Sequence, residues 1–335
     1  MSQKKNRLSK KAIAAIVVAA ATGAMIVALL ITDIFIPVKY LSSYAVLKNK
    51  GAEDGVMRVG FIDVGFGDCT VVELPDGKNM LIDGGNGRTA NTSRILKYLN
   101  ERDIDTIDYL VCSSVNPEHC GGLAELVKYK KIKTIYAPYS LNTYITDEYR
   151  AFKVAADKCG AEIKISEYGE GESLAGYDCF FKFLSPSVHT NPLGEYADLN
   201  ENPTAETKCL SSAVIWLEYS GVSFLLTGDA NGEALSRMCR SYDVAGEDYP
   251  VNLQSCTVLK VANHGGKTDG IAEIIGVLKP EYAVLSVGEN GFGYPAAQTI
   301  SATMGGVESF FRTDECGTVI AEINKDGLTV RGDKR

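Results

Sequence analysis

DYLVCSSVNPEHCGG, residues 108–122, is the stretch from which the fold is read. Tyr109, Leu110 and Val111 form a buried strand that stops abruptly and delivers a polar loop ending in Glu118, His119 and a glycine pair. Open α/β sheets build metal and phosphate sites this way, because groups released at the carboxyl ends of neighbouring strands share one crevice.

Upstream, residues 58–64 predict a strand ending in Gly65-Phe66-Gly67-Asp68, and 69–74 a second strand. A turn at Pro75-Asp76-Gly77-Lys78 leads to a third strand, 79–82, which closes on Asp83-Gly84-Gly85. Ile95, Leu96 and Leu99 have helical spacing, and a helix is expected over 122–129 with Leu123, Leu126 and Val127 facing inward. The second half repeats the rhythm. Strands at 212–217 and 223–226 end on Thr227-Gly228-Asp229, and the strand 257–261 runs into Asn263-His264-Gly265-Gly266. A strand at 282–287, a glycine-rich loop over 288–295 and a terminal hairpin follow, while residues 189–205 read as a polar loop. Two strand-rich halves, each carrying helices, predict an α/β four-layer αββα sandwich rather than a doubly wound sheet, although periodicity alone admits either.

The chain has 335 residues, 45% of them hydrophobic, and a formal charge of −8. Five cations, Lys4, Lys5, Arg7, Lys10 and Lys11, precede the first apolar run, leaving 29 positive against 42 negative residues from Ala12 onward. A body at −13 is a poor non-specific binder of polyphosphate without a basic patch or metal ions. Ala12 to Thr32 is an uncharged run that matches the roughly 20 residues of a membrane-crossing helix. The basic cluster before it predicts a cytoplasmic amino terminus and an extracytoplasmic body. The run continues into Ile34-Phe35-Ile36-Pro37, which favours an uncleaved anchor over a signal peptide or a core helix. The expected organisation is a basic tail (1–11), a single-pass anchor (12–36), a linker (37–56) and one domain (57–335). Nine scattered cysteines without a CxxC pair predict neither a zinc knuckle nor a disulfide framework.

FIDVGFGDC, LPDGKNMLIDGG, SSVNPEHCGG, FLLTGDA and VLKVANHGG, in this order and spacing, resemble the metallo-β-lactamase superfamily, with most likeness to the soluble carboxyl-terminal domain of ComEC-type competence proteins, components of a DNA-uptake channel. The resemblance covers about residues 57–331. The family's His-x-Asp-x-Asp-His pattern falls on Ser114, Asn116, Glu118 and His119, so the first ligand pair is replaced. Asp229 matches the family's bridging aspartate and His264 the second histidine of His-His-Gly-Ser, with Asn263 in place of the first and Gly266 in place of the serine. A later Gly-His-Pro stands here as Gly293-Tyr294-Pro295.

The resemblance thus implies metal ligands Glu118, His119, Asp229 and His264, with Glu118 and Asp229 as the catalytic carboxylates. Asp83, Asn116 and Asn263 would orient these ligands from behind. The cofactor it implies is one divalent metal, zinc or manganese, or none if the chain is an inactive relative. Cys120 is weighed as a thiolate ligand or a packing residue, and His189 as a further ligand or a surface histidine; Asp63 and Asp68 flank the floor of the cleft. Three functions remain open: an anchored extracytoplasmic ester or phosphodiester hydrolase, a non-catalytic module that binds a ligand or protein, and a nuclease-like protein acting on nucleic acid in DNA uptake.

Overall fold

A computed structural model describes residues 17–25, 27, 38–48, 51, 53–138, 146–185, 212–241 and 251–334. Among these, 17–25 and 27 are helical, and no helix is long and apolar enough to cross a membrane. Most of the expected anchor, and the loop carrying His189, lie outside the described residues.

The first half supplies strands β1 (Met57–Phe61), β2 (Thr70–Glu73), β3 (Asn79–Ile82), β4 (Thr106–Val111), β5 (Lys131–Ala137) and β6 (Glu162–Ile165). The second supplies β7 (Gly171–Ser173), β8 (Cys179–Ser185), β9 (Val214–Tyr219), β10 (Val222–Leu226), β11 (Val258–Lys260), β12 (Tyr282–Leu285) and β13 (Ser309–Arg312). The closing hairpin is β14 (Val319–Asn324) and β15 (Gly327–Gly332). Eight strands form one sheet in the order β15-β14-β1-β2-β3-β4-β5-β6, and seven form the other as β13-β12-β11-β10-β9-β8-β7. The terminal hairpin crosses back to pair β14 with β1, so the last strands complete the first sheet.

Helices cover the outer faces: α1 (Leu41–Tyr44), α2 (Thr89–Glu101), α3 (Pro117–Cys120), α4 (Leu123–Tyr129) and α5 (Asp147–Cys159) with the first sheet, and α6 (Gly232–Ser241), α7 (Ile271–Leu278) and α8 (Ala297–Gly306) with the second. A last short turn, α9 (Thr313–Cys316), precedes β14. Apolar residues pack in three layers. Met57, Phe61, Phe181, Phe183 and Phe224 meet between the sheets, while Ile95, Leu99 and Phe152 lie under the first helices and Trp216, Leu235 and Ile274 under the second. The αββα sandwich expected from the sequence is therefore present. Burying each large side chain of this kind stabilises by roughly 2–3 kcal/mol, so every layer is a sizeable part of the folding margin.

Part of the expected linker docks on the domain. Tyr40 is buried with its ring edge-on to Tyr129, Lys39 pairs with Glu125 at 2.8 Å, and Ser43 donates to the Ser93 carbonyl. Aromatic rings at 40 and 44 give this segment something to bury.

The organising loop differs from its sequence expectation in one respect: residues 117–120 wind into the single turn α3, with Pro117 at a position where its missing N–H has no cost. Three hydrogen bonds lace it to its neighbours, from Asp68 N to Glu118 O (2.9 Å), from Gly84 N to His119 O (2.7 Å) and from Gly122 N to Gly85 O (3.3 Å). The glycine pair is what permits this contact, since a Cβ on Gly122 would lie 2.1 Å from the Gly84 carbonyl oxygen. The obstacle is backbone and cannot rotate away. Gly122→Ala is therefore expected to destabilise the chain by about 3 kcal/mol or more in urea unfolding, whereas Gly305→Ala, whose Cβ meets nothing within 4 Å, leaves the midpoint nearly unchanged.

Candidate metal centre

The β3-β4-β5-β6 and β10-β11-β12-β13 ladders run parallel, so the carboxyl ends within each lie together and the groups that follow them share one edge of the sandwich. Asp83 follows β3, Ser113 and Ser114 follow β4, Asp229 follows β10, Lys260 ends β11 and Ser286 follows β12. Asp68 sits at the same edge, just before β2.

His119, on α3, is fully buried between carboxylates from the two sheets. Its Nδ1 lies 2.7 Å from Asp83 Oδ2 and its Nε2 2.8 Å from Asp229 Oδ1. Asp83 is fixed in turn by the Ser113 N–H (2.7 Å) and hydroxyl (2.6 Å). Burial alone would lower the His119 pKa, but the Asp229 and Asp83 carboxylates outweigh it and hold it well above the ordinary imidazole value. Burial pushes the other way on Asp229; there His119, His264 and the Asn116 amide prevail and depress the carboxyl.

His264 lies in a left-handed turn in which both Asn263 and His264 have φ of 49°, a conformation side chains avoid unless the surroundings impose it. The turn is pinned by Asn263 N–H to the Gly228 carbonyl (3.0 Å) and Gly266 N–H to the Asn263 carbonyl (2.7 Å). His264 Nδ1 donates to the Ser286 carbonyl at 3.0 Å, and its Nε2 lies 3.8 Å from Asp229 Oδ1.

Asp229 and Asp68 each have one oxygen in a hydrogen bond and one without. Asp229 Oδ2 accepts from Asn116 Nδ2 at 2.7 Å and from the Ser114 hydroxyl at 3.4 Å. Asp68 Oδ2 accepts from Lys260 Nζ at 2.5 Å, inside the protein on both sides. Burial would raise the Asp68 carboxyl, yet the Lys260 ammonium and the two imidazoles bring it below its ordinary value.

Eight buried side-chain polar atoms among the described residues lack a hydrogen-bond partner, and four of them are Asp68 Oδ1, His119 Nε2, Asp229 Oδ1 and His264 Nε2. His119 Nε2 and Asp229 Oδ1 are close without the alignment of a hydrogen bond, so their contact is electrostatic. Native interiors rarely leave such atoms unsatisfied, and their concentration in one cluster requires an explanation. A cation supplies one. Ligand atoms of Asp68, His119 and His264 lie within 4.8 Å of one another, and each imidazole directs its Nδ1 to a carboxylate or carbonyl, as metal-binding histidines do. Two imidazoles and carboxylate oxygens suit a divalent ion.

Of the residues expected from the sequence, His119, Asp229 and His264 come together, with Asp83 and Asn116 behind them. The Glu118 carboxylate does not join the cluster; Glu118 is half-buried and contributes its main-chain carbonyl to Asp68. Asn263 contributes its backbone to the turn. The Cys120 thiol contacts the Val115 carbonyl at 3.5 Å and lies outside the cluster, its pKa pushed by burial to about 12. Sequence reasoning left out Lys260, and it placed Asp68 only on the floor of the cleft. A lysine within the apolar run Val258 to Val261 was the available signal, because a buried ammonium demands a carboxylate.

Aromatic rings cover His264. Phe66 lies 4.7 Å from it and stacks on Phe292 at 5.3 Å, and Phe292 lies 5.7 Å from Tyr294. Asn86 fixes this corner by donating to the Phe66 carbonyl (2.7 Å), and Asn290 ties residues 288–294 by four hydrogen bonds to their backbone.

A family model described as the metallo-beta-lactamase superfamily matches residues 62–288. The chain is 25% identical over 278 residues to ComE operon protein 3 of Bacillus subtilis, covering 78% of this chain and 32% of that protein. To Recombination protein 2 of Haemophilus influenzae it is 24% identical over 259 residues, covering 76% and 27%. It therefore spans about a third or less of the length of these relatives. Among solved structures, the diiron beta-hydroxylase CmlA of Streptomyces venezuelae matches with 13% identity and a TM-score of 0.46, over 78% of this chain and 53% of that one.

The two shifted groups set a pH window for the metal-free protein. The raised His119 pKa contributes stability that is complete below about pH 6.5 and is lost as pH rises through the folded value. The depressed Asp229 pKa contributes stability present above about pH 4 and lost as pH falls through its folded value. Thermal unfolding in chelator should accordingly show the gap between native protein and His119→Gln at full size near pH 6 and smaller near pH 9. A gap that widens with pH would contradict this assignment.

Proposed function

The chain belongs to the metallo-beta-lactamase superfamily, and from that premise we propose that it is a membrane-anchored, extracytoplasmic hydrolase of ester or phosphodiester bonds, dependent on one zinc or manganese ion. The observation that carries this reading is the set of four unsatisfied, buried ligand atoms on His119, His264, Asp229 and Asp68. The chemistry that such an ion supplies when bound is polarisation of an acyl or phosphoryl oxygen and a lowered pKa for its water.

The rest falls to the chain. Asp83 and the Ser286 carbonyl fix the tautomers of His119 and His264, so that each presents Nε2 to the centre. Asp229 stands between the two imidazoles, where its Oδ1 can also accept a proton from a water held there. Phe66, Phe292 and Tyr294 keep bulk water from the His264 side, which strengthens every charge interaction within.

One observation favours a second reading, an inactive relative that binds a ligand or protein. Lys260 and a protonated His119 offset much of the negative charge of Asp68, Asp83 and Asp229 without any ion, and the donor side chains are buried. Metal analysis and hydrolysis separate the two. About one ion per chain is expected, with hydrolysis of bis(p-nitrophenyl) phosphate or a p-nitrophenyl ester. His119→Ala and His264→Ala should each lower kcat/KM by roughly 100-fold or more. A metal-free chain, or unchanged turnover in both variants, supports the binding module. Single-stranded DNA offered with manganese tests the third possibility, a nuclease-like role.

The anchor rests on the uncharged run from Ala12 and the cations before it. Deleting residues 1–37 should move the chain from the membrane pellet to the soluble fraction, and a full-length chain already found in the soluble fraction would refute it.

A further inference from the structure

We propose that the ion takes its second carboxylate from Asp68 rather than Glu118, and that Lys260 and Asn116 hold the remaining oxygens so that the centre accepts one ion and not two. The inference rests on the metal-dependent reading above and concerns how this chain rebuilds a site whose first ligand pair is replaced by Ser114 and Asn116.

Asp68 is 1% exposed and has no solvent to satisfy Oδ1, which lies 3.9 Å from His264 Nδ1 and has no hydrogen-bond partner. Its Oδ2 is taken by Lys260, itself only 3% exposed. A buried ammonium at that position is costly unless a carboxylate meets it. The same contact leaves Oδ1 as the unpaired oxygen of Asp68, with Oδ2 also 3.6 Å from His119 Nδ1, and makes Lys260 a positioning residue. Asp68 is held in place from its backbone as well, by its N–H to the Glu118 carbonyl. Glu118 therefore serves the centre through its main chain, and its side chain is left half-buried outside the cluster.

Asp229 is divided in the same way. Its Oδ1 faces His119 and His264, whereas its Oδ2 is occupied by the Asn116 amide at 2.7 Å and the Ser114 hydroxyl. An aspartate that bridged two ions would need that second oxygen free. Here that oxygen already accepts from an amide N–H and a hydroxyl, so its lone pairs are taken. Asp68, His119 and His264 have ligand atoms within 4.8 Å of one another, and Asp229 Oδ1 lies 2.8 and 3.8 Å from the two Nε2 atoms, which makes these four residues the donors available to one ion.

Titration with Co²⁺, read both by calorimetry and by the visible d–d absorption, tests this on the full chain. The wild type should bind one ion. Asp68→Asn should weaken binding by more than the roughly 10–100-fold that loss of an outer partner costs and should shift the d–d bands, while Glu118→Gln leaves affinity and bands unchanged. If Asp68→Asn fails to fold, Asp68→Glu keeps the pair with Lys260 and is expected to shift the bands alone. Loss of binding in Glu118→Gln with retention in the Asp68 variants, or two ions in the wild type, overturns the assignment and leaves the hydrolase reading standing. A wild type that binds neither Co²⁺ nor Zn²⁺ overturns both.

Discussion

The two sheets are joined at their carboxyl edges by charge. His119 is held between Asp83 of the first sheet and Asp229 of the second, and Asp68 of the first reaches Lys260 of the second. Between the sheets the core is apolar, and these polar clasps add directional pairings between the two halves at this edge. Buried charges are expensive to desolvate and more expensive to leave unpaired. The His119–Asp83 and Asp68–Lys260 pairs are closed by hydrogen bonds, which leaves Nε2 of His119 and Oδ1 of Asp68 without one.

These pairings tie stability to chemistry. Ser113, Ser212 and Ser286 contribute no ligand, yet they set the positions of Asp83, Asp229 and His264 through backbone or hydroxyl contacts. A centre supported in this way can be disturbed by residues that never touch an ion. The strained turn at Asn263 and His264 belongs to the same economy, because the Gly228 carbonyl that pins it lies beside Asp229.

Much of the architecture was legible in the sequence because strand ends were marked by chemistry: Asp83-Gly84-Gly85, Thr227-Gly228-Asp229 and Asn263-His264-Gly265-Gly266 each stop a run of apolar residues. Asp229 and His264 stand in two of those stops, and His119 in the loop after β4; the structure brings the three side chains near one another. Glu118 was misleading, since its place in the motif says nothing about which way a carboxylate turns when its carbonyl is needed by Asp68. Helix α7, Ile271–Leu278, escaped because its residues are mostly apolar and lack the polar face that marks a surface helix. Strand β13 escaped for the opposite reason: its four residues are only half-buried and end directly on Arg312, so no long apolar run marks it. Asp68 and Lys260 could be paired only in three dimensions, being 192 residues apart.

Gly266 and Tyr294 stand where the resemblance has a serine and a histidine, and they are not independent. A Cβ at position 266 would fall 2.8 Å from Cζ of the tyrosine ring, so the ring occupies the volume that any side chain at 266 would need. Neither position can be exchanged alone for the residue of the resemblance: a serine at 266 meets the ring, and a histidine at 294 leaves a hollow above a bare backbone. The two positions are therefore coupled, and putting one of those side chains in place requires changing the other in the same molecule.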